Sequence, residues 1–353
     1  MAQYTKQVWI GGVPIGGGAP ISVQSMTNCK TLDVAATVSQ IQQLEKAGCQ
    51  IVRVAIPNTD AVTSFAQIKK QVQVPLVADI HFDYRLALAA IDCGADKIRI
   101  NPGNIGGKDC LKSVVQLAAR NRIPIRVGVN SGSIEKDILR EEGGPTVRAL
   151  VRSAMRNLAL CKDFGAEALV LSLKSSDVIE TIEAYRQVSQ LTDVPLHIGV
   201  TEAGTLKSGT IRSAVALGIL LHQGIGDTLR VSLTSDPVDE VKVGYQILKS
   251  LRLAPPGVTI ISCPTCGRTE VDLIAIVNQV ENELANMDKN IVVAIMGCEV
   301  NGPGEAKEAD IGIACGKKSA VLFKNGKIVR KVKEEHIVAE LIKEVEEWSP
   351  PAV

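Results

Sequence analysis

The sequence has no excess of charge of either sign. Its 353 residues include 39 lysine and arginine residues and 38 aspartate and glutamate residues, which gives a formal net charge of +1. Proteins that bind nucleic acid or a membrane surface need a cationic face, so this balance argues against both roles. Any cationic function must come from the local placement of a few side chains.

Long hydrophobic runs are also missing. The N-terminal segment Met-Ala-Gln-Tyr-Thr-Lys lacks the apolar core of a signal peptide, and every apolar run is too short to span a bilayer. Nine cysteines are too few for a disulfide scaffold, and most stand singly in apolar segments, as Cys49, Cys93 and Cys161 do. We therefore expect a soluble cytoplasmic protein whose scattered cysteines are core thiols.

A Cys-x-x-Cys pair lacks the second half that a zinc ribbon needs. Cys263 and Cys266 form the pair, and Cys298 follows thirty-two positions beyond the second cysteine. Structural zinc usually completes its site with another such pair or with two histidines, but only the isolated Cys315 and His336 come later. Three thiolates and one harder ligand are typical of an iron–sulfur cubane, and zinc remains the alternative.

Glu305 is the candidate for that harder ligand. It ends a Gly-Pro-Gly turn seven positions past Cys298, so the chain can loop back and supply a carboxylate. A carboxylate is a harder ligand than a thiolate and is more easily displaced from one iron of such a cluster.

From residue 21 to about 250, short β-branched runs alternate with amphipathic helical stretches. The predicted strands are Ile21–Ser25, Ile51–Ala55, Leu76–Ile80, Lys97–Asn101, Ile125–Val129, Ala168–Leu173, Leu196–Val200 and Thr228–Leu233. Eight units in about 230 residues match a closed (β/α)8 TIM barrel, whereas a doubly wound open sheet would not need eight near-equal units. A hairpin at Val8–Ile15 is predicted to be a structural cap.

The pattern changes after the barrel. We predict an α/β chain in which residues 1–253 form the TIM barrel and 258–353 form a small α+β domain that carries Cys263, Cys266 and Cys298, joined by a linker at 254–257. A helix from about 270 to 287, a hairpin around Asn325 and Gly326 and a terminal helix from Glu334 are predicted in the second domain.

The predicted barrel strands carry polar residues near their C-terminal ends, where the active sites of this fold lie. These residues are Arg53, Asp79, His81, Arg99, Asn101, Arg126, Asn130, Lys174, His197, Glu202, Arg230 and Ser232. One alone would be a rim residue that reaches solvent, but polar ends on seven successive strands indicate a common pocket. Four arginines and a lysine outnumber Asp79 and Glu202, which predicts an anion site, and guanidinium groups suit a diphosphate. His81 and His197 are either acid/base groups or hydrogen-bond donors.

These residues belong to motifs that occur in order along the whole chain. The motifs are Ser22-Val-Gln-Ser-Met-Thr27, Val77-Ala-Asp-Ile-His81, Arg99-Ile-Asn-Pro-Gly-Asn104, Arg126-Val-Gly-Val-Asn130, His197-Ile-Gly-Val-Thr-Glu-Ala-Gly204, Cys263-Pro-Thr-Cys266-Gly-Arg and Cys298-Glu-Val-Asn-Gly-Pro-Gly-Glu305. The set closely resembles the 4-hydroxy-3-methylbut-2-enyl diphosphate synthases of the methylerythritol phosphate route to isoprenoids, in their shorter, two-domain bacterial form.

The resemblance implies an oxidoreductase that opens the ring of 2-C-methyl-D-erythritol 2,4-cyclodiphosphate reductively, with loss of a hydroxyl. It implies a [4Fe-4S] cluster on Cys263, Cys266, Cys298 and Glu305. The implied diphosphate clamp is Arg53, Arg126, Lys174, Arg230 and Ser232, supported by Arg99, Asn101 and Asn130. Glu202 is implied to be the acid/base group near the departing oxygen.

A head-to-tail homodimer is also expected, because the last barrel helix delivers the chain to the N-terminal face, while the anion pocket lies on the opposite face. The electron donor would be flavodoxin or ferredoxin. Two rival interpretations remain: a phosphate-handling barrel of the pteroate-synthase kind with a structural zinc tail, and a non-enzymatic iron–sulfur carrier.

Overall fold

The protein is represented by a computed structural model, which describes residues 4–254, 257–284, 287, 289–298 and 309–349. The chain divides into two compact units, residues 1–254 and 255–353. Within the described residues, no helix has both the length and the apolar character needed to cross a membrane.

The first unit is a barrel of parallel strands preceded by a two-stranded hairpin, β1 (Val8–Ile10) and β2 (Val13–Ile15). The barrel strands are β3 (Ser22–Met26), β4 (Ile51–Ala55), β5 (Leu76–Asp79), β6 (Lys97–Ile100), β7 (Ile125–Asn130), β8 (Leu169–Lys174), β9 (His197–Ile198) and β10 (Thr228–Leu229). They are hydrogen-bonded in the order β8-β7-β6-β5-β4-β3-β10-β9, and a parallel bridge between Leu171 and Leu196 joins the two ends of the sheet. The predicted TIM barrel is confirmed.

Helices follow the strands and cover the outside of the barrel. They are α1 (Val34–Lys46), α2 (Thr59–Lys69), α3 (Tyr84–Asp92), α4 (Lys108–Arg120), α5 (Lys136–Glu141), α6 (Val147–Asp163), α7 (Val178–Ser189), α8 (Leu206–His222) and α9 (Pro237–Ser250). Several begin where an Asp or Asn side chain accepts a backbone N–H of the first turn, as Asp33 and Asn58 do. The outward side chains of the strands, such as Val54 and Ile98, are buried in the core between the sheet and these helices.

The hairpin packs against the N-terminal ends of the barrel strands. Ile10 and Ile15 are fully buried in an apolar cluster with Ile51 of β4 and Val77 of β5. The predicted cap is therefore a hydrophobic floor under the barrel interior.

Two strands are shorter than predicted. The runs Leu196–Val200 and Thr228–Leu233 each form only two residues of regular strand, at β9 and β10. Beyond them the two backbones approach closely, since a Cβ on Gly199 would lie 2.5 Å from the carbonyl oxygen of Arg230. Only glycine allows this approach, which replaces a regular ladder at this point.

The second unit is a five-stranded sheet with helices on one face. Its elements are β11 (Val258–Ser262), α10 (Leu273–Leu284), β12 (Ile291–Met296), β13 (Ile311–Gly316), β14 (Ser319–Lys324), β15 (Lys327–Lys333) and α11 (Ile337–Glu347). The strands follow this order across the sheet, with β11, β12 and β13 parallel and the last two antiparallel. Helix α10 begins later than predicted because Asp272 accepts the N–H of Ala275 and caps it there.

Candidate active site

Strand alternation brings most of the predicted polar residues into the barrel interior. Arg53, Asp79, Arg99, Asn101, Arg126, Lys174 and His197 are buried, although charged side chains are rarely buried without partners. His81 is half exposed, and Glu202 is exposed with a left-handed φ of 53°. Within the described part of the chain, no hydrogen bond or ion pair joins Glu202 to the interior group.

Asp79 holds two arginines and a histidine. Its Oδ1 accepts a hydrogen bond from Arg99 Nη1 at 3.1 Å, and its Oδ2 lies 3.7 Å from Arg53 Nε and 3.5 Å from His81 Nε2. Burial alone would raise the pKa of Asp79, but the positive charges of Arg53 and Arg99 hold it far below the usual range. Asp79 is therefore a permanent carboxylate that orients arginines.

Arg126 and His197 form a second buried pair, with Arg126 Nη1 3.1 Å from His197 Nε2. Burial and the nearby charges of Arg126, Lys97 and Lys174 hold the pKa of His197 well below its usual range, so the ring is neutral. A guanidinium can only donate, so Nε2 accepts and the proton sits on Nδ1. Of the two roles left open for His197, this geometry fits a hydrogen-bond donor.

Glu240 of α9 holds Arg230 in a two-pronged ion pair that was not predicted. Arg230 Nε donates to Oε2 at 3.0 Å and Nη2 donates to Oε1 at 3.1 Å, while Ser25 Oγ and the N–H of Leu233 complete the carboxylate's bonds. The sequence does contain a sign of this role. Glu240 stands three residues after Pro237 and four before Gly244, so the helical period places it on the same buried face as these two residues.

Lys97 is the other interior cation that sequence reasoning missed. It lies on β6, two residues before Arg99 and four before Asn101, and is fully buried. The period-two spacing places all three on the same face of the strand. It lies at the start of the strand, away from the end where active sites lie, and was therefore not among the predicted site residues.

Cations outnumber carboxylates in this interior. The described side chains include six cations, Arg53, Lys97, Arg99, Arg126, Lys174 and Arg230, against Asp79 and Glu240. Burial among the other cations holds the pKa values of Lys97, Arg126 and Lys174 well below their usual ranges. The arrangement fits an anion that brings the missing negative charge.

Three further predicted residues have smaller roles in the geometry. Asn101 is buried and its Oδ1 accepts the N–H of Gly103, which shapes the turn after β6. The Oδ1 of Asn130 is buried without a partner among the described residues. Ser232 is partly exposed just beyond Arg230.

In the second unit, the predicted cysteines follow the ends of neighbouring parallel strands. Cys263 follows β11 and Cys298 lies two residues past β12, and the N–H of Gly297 donates to Cys263 Sγ at 3.2 Å. Cys266 is exposed, and a backbone hydrogen bond at Arg268 lowers the pKa of its thiol, which favours a thiolate ligand.

The described residues include no group of three or more His, Cys, Asp or Glu side chains placed around one metal position, and Glu305 lies outside them. Cys315 is buried, which raises its pKa to about 12 and marks it as a core thiol. The donor chemistry of the three cysteines fits a thiophilic metal group.

Together, the fold and the site define a TIM-barrel protein with a cation-rich interior and a separate cysteine-bearing α+β domain. The family model described as the GcpE TIM-barrel domain matches residues 5–245, and the GcpE protein C-terminal domain matches residues 259–347. The chain belongs to the GcpE family, which confirms the resemblance drawn from its motifs.

Curated relatives extend this match over nearly the full length. The chain is 57% identical over 346 residues to a protein of Caldanaerobacter subterraneus named 4-hydroxy-3-methylbut-2-en-1-yl diphosphate synthase (flavodoxin), covering 98% of both chains. A protein of Geobacter sulfurreducens with the same name is 53% identical, with the same coverage. Among solved structures, dihydropteroate synthase from Stenotrophomonas maltophilia has a TM-score of 0.52 at 16% identity, covering 71% of this chain and all of that one. That likeness shows the barrel fold alone.

Proposed function

We propose that this chain is an oxidoreductase that makes 4-hydroxy-3-methylbut-2-enyl diphosphate from 2-C-methyl-D-erythritol 2,4-cyclodiphosphate. The observation that carries the proposal is the excess of buried cations in the barrel of a chain whose near full-length relatives are named for making this diphosphate. In this reaction the bond between carbon and an ester oxygen of the cyclic diphosphate breaks, a hydroxyl leaves as water, a carbon–carbon double bond forms, and two electrons and two protons enter.

The proposed substrate site is the barrel interior. Arg126 and Lys174 would contact the diphosphate directly, because the structure gives neither of them a carboxylate partner among the described residues. Arg53 and Arg230 are oriented by Asp79 and Glu240 and would complete the clamp with Ser232. Their role is to fix the ring and to stabilise the charge that the opened diphosphate gains.

Glu202 is proposed as the acid/base group. It lies in the segment after β9, on the side of the barrel where the polar strand ends converge. An exposed carboxylate there can exchange protons with solvent and protonate the departing oxygen. Glu202→Gln should lower kcat strongly and leave substrate affinity nearly unchanged, and a weaker affinity with normal kcat would contradict this role.

Cys263, Cys266, Cys298 and Glu305 are proposed to hold a [4Fe-4S] cluster. When bound, such a cluster would supply the two electrons of the reaction to the substrate one at a time. The hydrogen bond from Gly297 to Cys263 and the lowered pKa of Cys266 support thiolate ligation in this unit. Glu305→Ala should weaken cluster retention, which iron content and visible absorbance measure.

The electron donor is proposed to be flavodoxin, the carrier that the relatives' names give. Residues 311–333 contain seven lysine and arginine residues and no aspartate or glutamate, and Lys324, Arg330 and Lys333 are each paired with a glutamate further along the chain. The exposed turn Lys317–Lys318 joins β13 to β14 at the same sheet end as Cys263 and Cys298. An acidic carrier would be attracted to this end.

We further propose that two chains form a head-to-tail homodimer, each supplying the cluster domain for its partner's barrel. Helix α9 has 14 residues and is about 21 Å long, so it carries the chain to the floor end of the barrel. The polar strand ends lie at the opposite end of the barrel, and only the short linker 254–257 precedes the proposed cluster domain.

The rival functions have less support. The pteroate-synthase likeness is confined to the barrel fold, at 16% identity. A non-enzymatic iron–sulfur carrier would have no use for five buried cations in a separate barrel.

The deciding experiment is an anaerobic assay of the iron–sulfur-reconstituted protein with the cyclodiphosphate and reduced flavodoxin. Formation of the enyl diphosphate, with iron bound and zinc absent, is expected. A zinc-loaded protein, or an iron-loaded one that leaves the cyclodiphosphate unchanged with flavodoxin and with a strong chemical reductant, would contradict the proposal.

A further inference from the structure

Lys97 lies deep in the barrel interior, below the residues that were expected to bind substrate. Its Cα pairs with that of Val77, whose side chain belongs to the hydrophobic floor formed with the β1–β2 hairpin. Lys97 shares its strand face with Arg99, one step closer to the mouth, and none of its surface reaches solvent. The chain therefore places an ionisable amine just above an apolar floor.

No group in the described structure neutralises this amine. Lys97 Nζ has no hydrogen-bond partner, and the groups that act on it electrostatically are Arg126 of β7 and Arg53 of β4. His197 of β9 faces it as well and is itself uncharged. The interior carboxylate of the neighbouring strand β5, Asp79, is bound to Arg99 and Arg53 instead.

Other interior groups are unpartnered in the same way, and nearly all of them are donors. The buried atoms without a partner include Arg99 Nε, Arg126 Nε and Nη2, Ser172 Oγ and His197 Nδ1. Lysine and arginine cannot accept a hydrogen bond, and His197 carries its proton on Nδ1, so donors outnumber acceptors here; the acceptors are the Ser172 hydroxyl, which can also donate, and Asn130 Oδ1. Leaving buried donors unsatisfied is costly, so the matching ligand is rich in acceptor oxygens and negative charge.

We propose that Lys97 is a binding residue of the diphosphate site, its deepest cation, and that it acquires its counter-ion only when the diphosphate enters the barrel. The inference rests on the function proposed above for the same interior. In the free protein, burial and the cationic neighbours lower the pKa of the amine well below its usual value. The arriving anion reverses that balance, so the protein should take up a proton as the diphosphate binds.

The first test is Lys97→Met, which keeps the length of the side chain and removes the charge. We expect opposite effects on stability and on binding. The melting temperature of the free protein should rise, because an uncompensated buried amine is lost. The Kd for inorganic diphosphate should increase about ten-fold or more.

Lys112→Met is the matched control, since Lys112 lies exposed on α4 outside the barrel. It should change neither quantity. A lysine that only fills space would give the reverse pattern at position 97, with a lower melting temperature and an unchanged Kd, and that result would overturn the proposal.

The second test counts protons. Calorimetric titration of the wild type with inorganic diphosphate, in two buffers of different ionisation enthalpy near neutral pH, should show net proton uptake. Lys97→Met, or Lys97→Gln if the first variant does not fold, should show less. Equal uptake in wild type and variant, or none in the wild type, would overturn the role of Lys97.

Inorganic diphosphate separates this inference from the proposed reaction. If it binds with Lys97-dependent proton uptake while the cyclodiphosphate does not bind, the substrate assignment fails and the Lys97 site stands. If both bind without that uptake, the Lys97 site fails alone.

Discussion

Two carboxylates decide which interior cations remain available to a ligand. Asp79 engages Arg53 and Arg99, and Glu240 engages Arg230. Among the described residues, Arg126 and Lys174 have no such partner, so their charges face the barrel interior unopposed.

Arg126→Ala and Lys174→Ala should each weaken substrate binding. Losing one charge-assisted bond to a desolvated phosphate costs about 1.5–3 kcal/mol, or roughly 10- to 150-fold in Kd. Calorimetry with the cyclodiphosphate measures the change. Arg120→Ala, on the exposed side of α4, is the control and should bind normally. An unchanged Kd in both interior variants would show that neither residue touches the diphosphate.

His197 should make the stability of the free protein depend on pH. Its pKa is held well below the usual value in the folded state, whereas in the unfolded chain it is about 6.5. Below that pH, His197 binds a proton in the unfolded chain but stays unprotonated in the folded chain. The free energy of unfolding therefore decreases as the pH falls. The free energy of unfolding should decrease by up to about 1.4 kcal/mol per pH unit from this group.

Chemical denaturation at several pH values between neutral and mildly acidic measures this slope. His197→Gln should flatten it, whereas His222→Gln, at the exposed end of α8, should leave it unchanged. If the His197 variant keeps the full slope, the dependence arises elsewhere.

At the scale of single elements, the alternation of apolar and polar residues predicted most of the barrel. In Lys97-Ile-Arg-Ile-Asn101 the period of two fixes both the strand and the inward face. The partners of the inward residues were beyond sequence reasoning, because Glu240 meets Arg230 only once α9 has packed beside β3 and β10. The short β9 and β10 were missed for the same reason, since Gly199 meets the Arg230 backbone only in the assembled barrel.

The sheet end that bears the cysteines allows a prediction about electron delivery. Lys317→Glu combined with Lys318→Glu should slow reduction by flavodoxin about ten-fold or more, and more so at low salt, because the attraction becomes repulsion. Turnover with a small chemical reductant should be unaffected. Stopped-flow kinetics with each reductant separates the two effects.

Lys327→Glu is the control, because Lys327 lies at the opposite end of the same sheet, at the β14–β15 turn. An equal slowing in the control would point to net charge as the cause. An unchanged rate of reduction by flavodoxin in the double variant would show that the Lys317–Lys318 turn does not belong to the docking surface.

At the scale of the whole molecule, the proposed head-to-tail dimer predicts complementation between inactive chains. Cys298→Ser removes a proposed cluster ligand, and Glu202→Gln removes the proposed acid/base group. Mixed under subunit exchange, the two variants should recover activity approaching about a quarter of wild type, because the mixed dimer has one intact site. Native mass spectrometry verifies the exchange. No recovery of activity despite exchange would mean that the cluster domain of each chain acts on the barrel of the same chain.

Among the described residues, the hydrophobic floor made by Ile10 and Ile15 closes the lower end of the barrel interior, which leaves the mouth at the polar strand ends as the route for a ligand. A molecule made there has to depart through the mouth by which the next one arrives, so the two cannot pass each other. The enyl diphosphate should consequently behave as a competitive inhibitor of its own formation, raising the apparent KM without changing kcat.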